Sequence, residues 1–89
     1  MRAIVTVVGK DRVGIIASVC ALLAENSINI LDISQTVLQE YFTMMMLVDV
    51  KACPLPFVEL SDVLKSSGEK TDLSIRIQRE DTFDAMHRI

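Results

Sequence analysis

Apolar and polar positions along this chain follow two rhythms, a period of two and a period near 3.6, the repeats of strand and helix. Residues 2–8 are rich in β-branched side chains and end at Gly9. They predict a strand apolar on both faces, and so one inside a sheet. A polar loop runs from Gly9 to Gly14. From Ile15 to Asn26 the spacing turns helical: Ile15, Val19, Leu22 and Leu23 share a face, with Ile16 and Cys20 at its margin and Asn26-Ser27 as the stop. Ile28 to Leu38 returns to strand rhythm. Leu31, Ile33 and Val37 point one way and Asp32, Ser34 and Thr36 the other, which predicts one wet face. Gln39-Glu40 predicts a tight turn.

Tyr41 to Val50 places Phe42, Met44, Met46, Val48 and Val50 on one face, while Met45 and Leu47 break the polarity of the other. This predicts a second interior strand. Pro54 and Pro56 predict a helix start, because proline lacks an N–H that the first turn leaves unpaired anyway. Phe57, Leu60, Val63 and Leu64 form its apolar stripe, and Gly68 predicts its end. Leu73, Ile75 and Ile77 alternate with Ser74, Arg76 and Gln78, giving a fourth strand with one wet face. Glu80 to Ile89 predicts a short helix capped by Asp81 or Thr82, with Phe83 and Met86 on one side.

The order is β-α-β-β-α-β, with the first and third strands interior and the second and fourth at the edges. This predicts an α+β, ferredoxin-like βαββαβ sandwich: a four-stranded antiparallel sheet in the order 4-1-3-2, two helices on one face, and a short C-terminal helix. Residues 1–79 read as a single domain and residues 80–89 as a helical tail.

At 89 residues there is room for one domain, and 51% hydrophobic residues give it a core. With no Trp, one Tyr and three Phe, that core is built from Val, Ile, Leu and Met. A net charge of −3 with scattered basic residues argues against a direct nucleic-acid surface, which needs clustered Lys and Arg. Cys20 and Cys53 read as two buried thiols rather than a disulfide framework, and a single His with no ligand-spaced Cys argues against a metal site. No cofactor is expected. The apolar run Ala3–Val8 is too short for a signal or a membrane span, so a cytoplasmic protein without membrane contact is the default expectation.

Three features carry a family resemblance. A strand ending in Gly9 is followed by Asp11-Arg12-Val13-Gly14 and an apolar helix; Asn29 sits between Ile28 and Ile30 at the start of the second strand; and the βαββαβ layout covers nearly the whole chain. Together these resemble the ACT domain family, the small ligand-sensing modules of amino-acid metabolism, whose first helix is entered through D-x-P-G. Val13 stands where proline is usual. The ending Phe83-Asp84-Ala85-Met86-His87-Arg88-Ile89 is similar to that of stand-alone single-ACT proteins resembling the glycine cleavage system transcriptional regulator. The resemblance implies a ligand held between two domains, the loop of one facing the second strand of the other. The candidate ligand residues are therefore Gly9, Lys10, Asp11, Arg12, Val13, Gly14 and Asn29.

The chemistry of those positions suits a small zwitterion. The loop leads into a helix N-terminus, whose first four N–H groups have no intrahelical partner and, with the helix dipole, attract a carboxylate. Glycines allow close approach to the backbone. Asp11 can accept from those amides as a cap or pair with a ligand ammonium; Asn29 can donate and accept, or can satisfy backbone at a strand edge. The dipole contributes only about 0.3–1 kcal/mol to an exposed anion. A millimolar ligand already needs about 4 kcal/mol, so enclosure by a second copy has to supply the remainder. Duller roles compete: Arg12 as a solvated charge, Gly9 and Gly14 as turn and packing residues, Met44-Met45-Met46 as core or dimer filling. His87 has no partner placed for catalysis.

Three functions follow. A non-catalytic regulatory module would bind an amino-acid-like ligand as a homodimer or larger oligomer and signal through its own pairing or a metabolic enzyme or regulator. A ligand-free interaction module would keep only the shape. An acylphosphatase-like enzyme would want an Arg in the loop after the first strand and an Asn opposite; Arg12 and an Asn are present, but the loop spacing is wrong.

Overall fold

A computed structural model describes residues 1–10 and 13–82. Its elements run β1 (Arg2–Lys10), α1 (Ile15–Glu25), β2 (Asn29–Leu38), β3 (Tyr41–Asp49), α2 (Phe57–Lys70) and β4 (Ser74–Arg79). All strand pairings are antiparallel and the sheet order is β2-β3-β1-β4, the order the pattern predicts read from the other edge. Residues 80–82 are helical, so this last helix starts before the caps expected at Asp81 and Thr82. The proposed Phe83–Met86 face and His87 lie outside the described residues.

The period-two rhythm becomes one covered face. Ala3, Val5 and Val7 of β1 lie beside Met44, Met46 and Val48 of β3 and Ile75 and Ile77 of β4, all buried in one cluster with Ile15, Val19 and Leu23 of α1 and Leu60 and Leu64 of α2. Both helices therefore cover the same side. Each fully buried side chain of this size contributes about 1.5–3 kcal/mol. Residues between them in sequence, such as Val8 and Met45, face the other side and remain exposed.

Four details depart from the sequence reading. β1 runs one residue past Gly9, to Lys10. Cys20 and Cys53 are free and half-buried rather than fully buried. β2 is exposed on both faces from Leu31 to Leu38, not on one, because a bulge between Ile30 and Asp32 shifts its register and the helices do not reach its outer half. Ile33 and Val37 pair with the core-side Met46 and Phe42 but stay 41% and 53% exposed.

The fourth concerns Gly68, which does not end α2. It is buried within the helix, which runs on to Lys70. A Cβ there would stand 2.7 Å from the Leu73 carbonyl oxygen and 3.2 Å from the Ile75 amide nitrogen. Glycine serves close helix–strand approach, and the chain reverses later, at Asp72 with φ 60°.

Candidate functional site

The sheet register decides which candidate residues meet. Lys10 pairs with Tyr41, and Tyr41 with Leu38, so the end of β1 and the β2–β3 hairpin share one rim. Gln39 turns that hairpin with φ 56°. At the other rim, Arg2 pairs with Asp49, and Asp49 with Asn29. Seven residues of strand separate Arg2 from Gly9, about 24 Å. Within one chain the loop and Asn29 therefore sit at opposite ends of the sheet.

At the loop rim, β1 alternation turns Gly9 toward the helices and Lys10 toward the open face. The absent side chain of Gly9 is used internally: a Cβ would stand 2.5 Å from Leu73 Cδ2. Val13 is fully exposed. Gly14 holds φ 91°, a left-handed conformation that any other residue adopts at a cost, and nothing lies within 4 Å of a Cβ built on it. From Gly14 the chain enters α1, and the first helical bond runs from the Ser18 N–H to the Gly14 carbonyl at 2.9 Å. The amides of Ile15, Ile16 and Ala17 precede that bond, and Gly14 brings no side chain to cap them. Asp11 and Arg12 lie outside the described residues.

Asn29 is exposed at the other rim, beside a small electrostatic cluster. Asp49 Oδ1 accepts from the Lys51 N–H at 2.9 Å and lies 3.4 Å from the N-terminal ammonium. The Lys51 amide, the ammonium and the Lys51 charge hold the Asp49 carboxyl below its ordinary range, against the smaller opposing effect of desolvation. Arg2 Nε donates to both carboxylate oxygens of Glu80, at 3.2 and 3.0 Å, and Arg2 Nη2 donates to Oε2 as well, tying β1 to the helical segment after β4.

Sequence reasoning overlooked Leu38 and Tyr41, 71% and 49% exposed at the loop rim. Only the register places them beside Lys10; two exposed apolar residues around a tight turn were the available signal. Among the described residues no group of His, Cys, Asp and Glu could hold a metal ion, and no helix is long and apolar enough to cross a membrane.

The ACT domain profile matches residues 2–78. The chain belongs to the ACT domain family. A UPF0237 protein of Clostridium acetobutylicum is 53% identical over 89 residues, covering 100% of both chains. An ACT domain protein from Streptococcus pneumoniae superposes with a TM-score of 0.84 at 46% identity, covering 98% of each chain. A candidate glycine cleavage system transcriptional repressor matches with a TM-score of 0.74 at 27% identity, over 86% of this chain and 44% of that one. In this ACT domain the chain enters α1 through Gly14 in a left-handed conformation.

Proposed function

We propose that this ACT domain is a non-catalytic regulatory module that binds a small zwitterion, an amino acid, between two copies of itself in the cytoplasm. The loop from Gly9 to Gly14 of one copy faces the Asn29 end of β2 in the other. The observation that carries this reading is the separation of the two half-sites along the sheet. Only a second copy running in the reverse direction brings a loop rim beside an Asn29 rim, and a two-fold pair creates two such sites. The α1 amides then meet the carboxylate, while the Asn29 amide reaches the other end of the ligand. The free edge of β2, with Ile33 and Val37 uncovered, supports pairing along that side.

The output is linkage. A ligand that binds only the paired state stabilises it, and a metabolic enzyme or regulator that recognises one state senses the ligand. A thermal-shift series with the twenty amino acids tests the reading, because a ligand at one hundred times its dissociation constant adds about 2.7 kcal/mol. A clear rise with one chemical class, lost in Asn29→Ala, is the expected result. No rise with any of them, from a chain that still pairs, leaves a pure interaction module instead.

A further inference from the structure

The side of the sheet turned away from the helices is not an ordinary wet face. Antiparallel sheets with one solvated side present polar residues there. Here the two central strands present Ile4, Thr6 and Val8 from β1 and Thr43, Met45 and Leu47 from β3, four of the six apolar. Val8 is 41% and Met45 37% exposed, and a shallow groove of about 200 Å³ runs past Ile4, Met45 and Leu47. The edge strands carry charged, hydroxyl and amide side chains on the same side, Asp32 on β2 and Arg76 on β4 among them. An apolar centre within a polar rim is the composition of a protein–protein contact.

The rims indicate the occupant. Asp32 and Arg76 stand on opposite edges, three strand spacings apart and two residues out of level, about 16 Å in all and too far to pair within one chain. A two-fold axis along the strands, midway between β1 and β3, lays β3 of one copy over β1 of the other. The same rotation carries each β4 edge over the other copy's β2 edge; Arg76 is level with Ser34, so it comes within two residues, about 7 Å along the strand, of Asp32 of the other copy. We propose that this open face is a self-association surface, closed by a second copy stacked sheet to sheet and distinct from pairing along β2. Strands of nine, ten, nine and six residues make a face about 19 Å wide and about 20–34 Å long in projection. Its studded accessible surface exceeds that projection of about 550 Å², and so reaches the ~600 Å² per partner at the lower end of specific interfaces. Aligned sheets packed in this way lie about 10 Å apart, with side chains interdigitating.

Light scattering after size-exclusion chromatography of the full chain, over a range of concentrations, tests the proposal with Asp32→Arg, Arg76→Asp and Met45→Glu. All three positions are exposed, and circular dichroism confirms that each variant folds. Each variant is expected to halve the assembly mass. An equimolar mixture of Asp32→Arg and Arg76→Asp is expected to restore it, because every cross-copy pair is then of opposite charge. Variants that keep the wild-type mass, or a mixture that associates no better than its components, overturn the proposal. The starting mass separates this surface from the ligand reading. A fall from four copies to two leaves a β2-side pair intact. A fall from two to one makes the open face the sole seam, and this axis does not bring a loop to Asn29.

Discussion

The Leu73 N–H donates to the Gly68 carbonyl at 2.8 Å, while the Leu73 carbonyl oxygen lies where a Cβ of residue 68 would come within 2.7 Å. α2 and β4 are thus joined through a residue that can have no side chain. Gly68→Ala gains up to about 1 kcal/mol of helix propensity but forces backbone against backbone. A net loss of about 1–3 kcal/mol is expected in chemical denaturation, the range of overpacked cores. An unchanged midpoint would show that α2 can lift from β4 freely.

Gly14 should respond for a different reason. With nothing within 4 Å, Gly14→Ala meets no clash but must hold φ near 91°. Expected is a loss of about 1–2 kcal/mol from left-handed strain alone. Gly14→Asn should lose less, because asparagine tolerates that region better, and thermal melts of the two variants check the order.

Asn29→Ala separates binding from folding. The side chain is exposed and makes no core contact, so the melting temperature without ligand should stay within about 0.5 kcal/mol of wild type. Calorimetric affinity for the ligand found by thermal shift should fall by about tenfold or more, the loss for one well-placed polar contact. Unchanged affinity removes Asn29 from the site.

Asp49 makes stability depend on acid. Its folded carboxyl titrates below its ordinary value, so the unfolded chain binds the proton more tightly. Its contribution is therefore complete above the unfolded value of about 3.9 and is lost as pH falls through the folded one. Asp49→Asn should flatten the acid limb of a stability-versus-pH curve below about pH 4 and leave the slope near neutrality alone. A wild-type slope retained by the variant would assign that limb to other carboxylates.

Leu64 tests the core. It is fully buried between helix and sheet, and Leu64→Ala should lose about 2–5 kcal/mol through transfer and cavity effects. In so short a domain that is much of the total stability, and partial unfolding at 37 °C should be visible by circular dichroism.

The architecture was legible because each element writes its period locally. Val5 and Val7, Met44 and Met46, and Ile75 and Ile77 announced their strands and their shared side, and the two doubly apolar strands announced the centre of the sheet. The loop-to-helix entry and Asn29 were legible as motifs. Their distance from one another was not, because register across β2, β3 and β1 is set by the bulge after Ile30 and by pairings remote in sequence.

Local sequence thus determined which side chains of each strand and helix share a face, since side-chain direction follows from backbone period alone. Only the tertiary structure decided what lies opposite each face. It placed Leu73 against Gly9 and β4 against Gly68, left Ile33 and Val37 uncovered, and set Lys10 and Asn29 at opposite rims. Covering a face takes another element brought from far along the chain, or from another copy, and no local period encodes that meeting.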